Sequence, residues 1–203
     1  MAQMTNAMLK EEFTALFRGY KIPKDLKSLF DFQVSEGIPS FYSNALYLID
    51  EDPEIIQDFS DDTNFVDSFI PFGEADTNGS YYAFWIRDKN NSSLENAPIV
   101  VFGGDGGMFV VAKNIKDLLL IASYDVEPII DVDEISFPDK EVLEEDGEFT
   151  ATEFNKEYLD WLRNEVKLKP IVVIADLDQL LEDAQNQYGS ELVEFAKSFD
   201  VEI

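Results

Sequence analysis

Leu9, Phe13, Leu16, Phe17 and Tyr20 recur at helical spacing and predict an amphipathic helix over 9–20, closed near Gly19 and broken by Ile22-Pro23. A second helix follows Pro23, with Leu26, Leu29 and Phe30 on one face, and Glu36-Gly37-Ile38-Pro39 reads as a turn. Ala45 to Ile49 reads as a short strand. Asp52-Pro53-Glu54 opens a helix through Ile55, Ile56 and Phe59, and Ser60 to Asn64 forms a polar loop. Phe69–Phe72, Ser80–Ile86, Ile99–Phe102 and Met108–Ala112 are rich in aromatic and β-branched residues, and Gly, Asn and Asp clusters separate them. They predict four strands in an antiparallel meander. Asn114 then caps a helix whose face is Ile115, Leu118, Leu119 and Ala122.

Beyond this helix the pattern loosens. Glu127 to Glu148 reads as extended and loop-like, with Pro128 and Pro138 as breaks. A helix near Thr152 presents Phe154, Tyr158, Trp161 and Leu162. Ile171 to Ala175 has the look of a buried run. Asp176-x-x-Gln179 fits a capping box opening a helix with Leu177, Leu180, Leu181 and Ala184, and Gly189-Ser190 separates it from a last helix with Leu192, Phe195, Ala196 and Phe199. The expected fold class is α+β, a mainly antiparallel sheet flanked by helices. With no linker or repeat, the expected organisation is one domain over 1–203, its last part (126–203) an acidic loop and a helical extension.

Composition adds a core and a charge. Hydrophobic residues are 45% of the 203 and aromatics 13%, with 17 Phe, so the core is aromatic-rich. The net charge of −27 is unevenly placed: residues 1–49 balance five acids with five bases, so 50–203 carry all of it. Asp50 to Tyr81 holds ten acids and no base; Asp117 to Glu153 holds thirteen acids and one base, Lys140. Such a field argues against direct contact with nucleic acid, whose phosphates need Lys and Arg, and favours a basic protein partner. General solubility is the competing explanation.

The residue inventory removes much chemistry. With no Cys and no His, the chain can form no disulfide, thiol nucleophile, zinc finger or His-based triad. Gly103-Gly104-Asp105-Gly106-Gly107 suggests a phosphate nest, but no Lys, Ser or Thr follows and a strand comes next, so it reads as a hairpin turn. Asp50-x-Asp52, Asp131-x-Asp133 and Asp176-x-Asp178 lack the calcium-loop pattern, and Asp88-x-Asn90-x-Ser92 loses it at Ser93 and Ile99. No cofactor and no metal are expected. No segment reads as a signal peptide or is long enough to cross a bilayer, so the expected setting is cytoplasmic, without membrane contact.

The order of landmarks resembles the SUKH superfamily, which includes the yeast Smi–Knr cell-wall-synthesis regulators and many bacterial proteins. Gly19, Ile22-Pro23 and Asp25-Leu26 correspond to the family's break between its first two helices, and Glu36-Gly37 to a common Asn-Gly. Phe69-Ile70-Pro71-Phe72-Gly73, with Asp76 and Gly79, is similar to the family's central block, and Ser80–Ile86 to its aromatic strand. Ala97-Pro98-Ile99-Val100-Val101 and Val110 to Leu119 resemble its later strands and helix. The resemblance spans about 9–125 and its motifs are packing motifs: Pro23, Phe72, Gly73 and Gly79. The Trp often found near the family's N-terminus is missing, with Phe13 or Phe17 in its neighbourhood, and the segment from 126 exceeds a minimal domain.

The resemblance implies a binding role without catalysis. Many bacterial members are thought to be immunity proteins that neutralise toxins, often nucleases. A nuclease holds phosphate and is basic on its active face. An acidic protein can cover that face and associate quickly. The expected function is therefore capture of a basic toxin, with Asp50, Glu51, Asp52, Asp61, Asp62, Glu74 and Asp76 as candidate contacts, chosen by density. A regulatory or scaffold protein of the same fold and a nucleic-acid mimic are the alternatives, and an unrecognised carboxylate enzyme comes last.

Overall fold

The structure, a computed structural model, describes residues 6–35 and 41–203; the turn expected at Glu36–Pro39 lies outside them. Five strands form one sheet in the order β1-β2-β3-β4-β5, every neighbour antiparallel, as the meander pattern predicts. They are β1 (Tyr47–Leu48), β2 (Phe69–Glu74), β3 (Tyr81–Trp85), β4 (Ile99–Phe102) and β5 (Met108–Ala112). The helices are α1 (Asn6–Leu16), α2 (Lys24–Gln33), α3 (Ile55–Phe59), α4 (Thr63–Val66), α5 (Ile115–Ala122), α6 (Lys140–Asp146), α7 (Asn155–Trp161) and α8 (Ile174–Lys197). A hairpin of β6 (Ile129–Ile130) and β7 (Ile135–Ser136) stands apart from the sheet.

Side chains alternate across the strands, and both faces are buried. Ile70, Phe72, Tyr82, Phe84, Ile99 and Val101 join one cluster with Phe13, Phe17, Leu26, Leu29 and Phe30 from the α1–α2 region and Ile115, Leu118 and Leu119 from α5. Phe69, Ala83, Trp85, Val100, Phe102, Met108 and Val110 join another with Ile55 and Ile56 from α3, Phe65 from α4 and Ala184, Leu192 and Ala196 from α8. Rings dominate both: Phe13 stacks on Phe30 at 4.4 Å, Phe72 lies 4.5 Å from Phe84, and Phe69 meets Phe102 edge-on at 4.9 Å.

The motif residues have structural work. Pro23, buried, stands at the N-cap of α2. Phe72 lies in a bulge where the β2–β3 register shifts between Pro71 and Gly73. A Cβ on Gly73 would come within 2.9 Å of Leu46 Cδ1 and 3.1 Å of Tyr47 O, so β1 pairs there only because the side chain is absent. Gly79 takes φ +84° in the β2–β3 turn. The outer edge of β1 is closed by a side chain that imitates a strand: Gln33 Nε2 donates to Leu48 O at 2.8 Å and Gln33 Oε1 accepts from Leu48 N at 2.9 Å.

Several expectations need correction. The first helix ends at Leu16; Arg18 and Gly19, at φ +48° and +86°, turn the chain before Tyr20. Pro53 precedes α3, whose N-cap is Glu54, rather than sitting in its first turn. The polar loop at 60–64 contains the start of α4, because Asp62 accepts from Asn64 N at 2.7 Å and Phe65 is buried. The stretch 127–148 is not all loop. It forms the β6–β7 hairpin, then α6, which Asp139 caps and Gly147 ends at φ +73°. The 171–175 run is not buried: Val172 is 74% exposed, and the chain here is a surface lead into α8. No capping box forms, since α8 starts at Ile174 and Gln179 donates to Asp183 instead. Gly189-Ser190 does not divide two helices. α8 runs unbroken through it, because Leu181 and Ala184 before it and Leu192 and Ala196 after it bury one common face. That packing outweighs the roughly 1 kcal/mol cost of a mid-helix glycine.

Candidate functional site

Three turns and a short helix surround a cleft of about 490 Å³. The first turn joins β2 to β3. Its Asp76 Oδ1 accepts from Asn78 N at 2.8 Å and Ser80 N at 3.0 Å, and Oδ2 from Ser80 Oγ at 2.7 Å. The second is the glycine loop, which is the hairpin turn between β4 and β5 that its sequence suggests: Gly103 N donates to Gly107 O at 2.9 Å and Gly106 N to Gly103 O at 3.0 Å. A Cβ on Gly104 would run into Asn78 O, and one on Gly107 into Asp131 O. The glycines are therefore what lets the other two turns press against this loop. The third turn is the β6–β7 hairpin with its lead-in, and α6 with its exit closes the far side through Leu143, Glu148, Phe149 and Thr150.

Asp125 forms the base. It is fully buried, at φ +62°. Its carboxylate accepts from Asn44 N at 2.8 Å, Thr152 N at 3.0 Å and Thr152 Oγ1 at 3.0 Å, while its carbonyl accepts from Asn44 Nδ2 at 3.0 Å. Burial pushes its carboxyl above the ordinary range, and the N–H groups of Asn44 and Thr152 oppose that rise. This one residue ties the loop before β1 to the chain before α7. Its oxygens are committed to these partners, which fits a structural part better than an acid–base one.

Asp76, Asp105, Glu127, Asp131 and Glu148 stand around the cleft, and no Lys or Arg lines it. Thr77 Oγ1 donates to Glu127 Oε2 at 3.4 Å, so the two acidic stretches of the sequence meet here. Lys140, the one base of the second stretch, is not part of the lining but stands behind its wall: its Nζ donates to Tyr124 O at 3.2 Å and lies over the Phe149 ring at 4.4 Å, near enough for its charge to oppose the rise at Asp125.

The seven candidate acids do not form one site. Asp76 borders the cleft just described. Asp50, Glu51 and Glu74 line a separate hollow of about 350 Å³ with Phe30, Tyr47, Pro53 and Tyr81. Burial, then Asp76, holds the Glu74 carboxyl above its usual range. Asp52 accepts from Glu54 N at 3.0 Å and Asp62 caps α4, so both shape the local chain, while Asp61 is exposed. Density in the first acidic stretch missed Asp105, Glu127, Asp131 and Glu148. The signal for them was the second stretch, together with a Gly-Asp-Gly turn that had to lie beside something needing room. Among the described residues no group of three or more acids could hold a metal ion, and no helix is long and apolar enough to cross a membrane.

The architecture is thus an α+β domain, a five-stranded antiparallel sheet with helices on both faces and an acidic cleft beside its turns. The sequence model of the SMI1/KNR4 family (SUKH-1) matches residues 9–121, more than half of the chain, and the chain belongs to this family. No curated protein and no solved structure matches it.

Proposed function

We propose that this SUKH-family chain is a non-catalytic protein-binding module of immunity type, acting as one unit in the cytoplasm, that neutralises a basic toxin by covering its positive face. One observation carries the reading: two acidic stretches far apart in the chain converge on a single cleft that no Lys or Arg lines. A nuclease is the first candidate partner, because a surface that grips phosphate must be basic. Complementary charge would speed the encounter and disfavour acidic competitors. The committed oxygens of Asp125 and the absence of His and Cys support binding over catalysis.

The test is a titration of the full chain against the basic protein encoded beside its gene, at several salt concentrations. Submicromolar binding at low salt that weakens steadily as salt rises is expected. Undetectable binding at low salt, or affinity indifferent to salt, would remove electrostatic capture.

A further inference from the structure

The cleft is more than an array of carboxylates. Val126, Pro128, Ile130, Pro138, Leu143 and Phe149 contribute its walls. At its mouth Ile129 is 49% exposed, and Val132, at the end of the same hairpin, is 60% exposed. The hairpin turns Ile135 inward against the core while these two face out. It cannot swing freely, because the side-chain-free Gly107 lies directly under Asp131 and Val132 sits over Gly106. A short ribbon thus holds two apolar side chains outward on a fixed base, interleaved with the exposed Asp131, Asp133 and Glu134.

We propose that the cleft and the tip of the β6–β7 hairpin together form the docking surface. The occupant is a segment of a basic protein that carries arginine or lysine beside at least one large apolar side chain. The apolar group enters between Ile130, Leu143 and Phe149 and packs against Ile129 and Val132, and the cations meet Asp131, Glu127 and Glu148 at the rim. Charge selects this occupant. A neutral or acidic apolar segment would strip water from those carboxylates without pairing them. A second copy of the chain, at −27, would repel this one. The inference rests on the reading of the chain as a binder of a basic partner. It adds which surface is used, and that recognition has an apolar half.

Two fluorescent peptides test it on the full chain: octa-arginine, which offers charge alone, and a peptide of alternating arginine and leucine. Three double variants are compared, with thermal melts showing that each is folded: Ile129→Ser with Val132→Ser, Asp131→Asn with Glu148→Gln, and Asp50→Asn with Glu51→Gln. The arginine–leucine peptide should bind wild type more tightly than octa-arginine does. The serine pair should weaken it about tenfold and leave octa-arginine unchanged. The Asp131/Glu148 pair should weaken both peptides, and the Asp50/Glu51 pair neither. If only the Asp50/Glu51 pair weakens binding, this surface is wrong while the basic-partner reading stands. If neither peptide binds wild type at low salt, both fall. If the serine pair instead abolishes self-association of the free chain, the tip belongs to a second copy and the proposal is overturned.

Discussion

On one face of the sheet, Ile70, Phe72, Tyr82 and Phe84 pack against α1, α2 and α5, which lie inside the 9–121 family match apart from the first residues of α1 and the last of α5. On the other face, Phe69, Trp85, Phe102, Met108 and Val110 are covered by α3, α4 and α8, and α8 lies wholly outside the match. The first face is closed mainly by helices near in sequence to the strands, with Tyr158 and Trp161 of α7 and Leu177 and Leu181 of α8 joining the same cluster. The second is closed from the far end of the chain and fastened by ion pairs. Lys113 Nζ reaches Asp183 Oδ2 at 2.9 Å. Arg87 Nε donates to Glu191 Oε1 at 2.8 Å, and its guanidinium lies 4.7 Å from the centre of the Tyr188 ring. A family pattern can thus describe a sheet and only part of its core. The matched segment by itself leaves a wall of aromatic side chains with too little to cover it.

The sharpest way to break this comparison is to end the chain at Lys169. Losing α8 bares much of the Phe69, Trp85, Phe102, Met108 and Val110 surface, a patch too apolar for a monomer to carry. The expected outcome is loss of cooperative urea unfolding, with strong binding of a hydrophobic dye. A truncated chain with an unchanged midpoint would show that α8 is an appendage. Next in size is a matched pair of core deletions. Phe72→Ala on the first face and Phe102→Ala on the second each remove a fully buried ring, and each should cost about 3–5 kcal/mol in chemical denaturation. If Phe102→Ala alone costs less than about 1 kcal/mol, the second face is loosely packed and the symmetry of the two cores is false.

The first face was legible because its helices announce themselves. Leu26, Leu29 and Phe30 repeat at helical spacing next to Pro23, and Asn114 stands where a cap is needed, accepting from Lys116 N and Asp117 N as expected. The second face left a subtler mark. Ile99-Val100-Val101-Phe102 is apolar at every position, the sign of a strand buried on both sides, yet nothing local says which distant helix does the covering. Local rules also misread α8. Asp176 and Gln179 match a capping box and Gly189 matches a breaker, but tertiary burial set the helix ends instead. The cleft was harder still. Its acids come from turns that meet at Gly104 and Gly107, above an Asp125 whose partners Asn44 and Thr152 are remote in sequence, and charge counting ranks stretches rather than places.

The smallest contrast between the two sides is electrostatic, and pH separates it. Burial holds Glu74, Asp117, Asp125 and Asp178 above their ordinary range; Asp76 adds to this for Glu74, Asp183 for Asp117 and Asp139 for Asp178. A carboxyl whose folded pKa is raised binds its proton more tightly when folded, so stability grows as pH falls through that raised value and levels off below the ordinary one. Asp183, hydrogen-bonded by Lys113, and Asp160, hydrogen-bonded by Lys156, are held below theirs. Their stabilisation is present above the ordinary aspartate value of 3.8 and is lost as pH falls beneath it. Thermal melts at fixed ionic strength should therefore rise as pH falls from neutral toward the ordinary carboxylate range, as the raised carboxyls take up protons, and decline below about 4. In Asp183→Asn the rise should persist while the decline becomes shallower, because the variant removes one fastening of α8 and, of the raised carboxyls, reaches only Asp117, whose rise Asp183 reinforces. A rise that vanished with Asp183 would mean that the α8 latch, and not the crowded acids beside the cleft and core, sets the pH response.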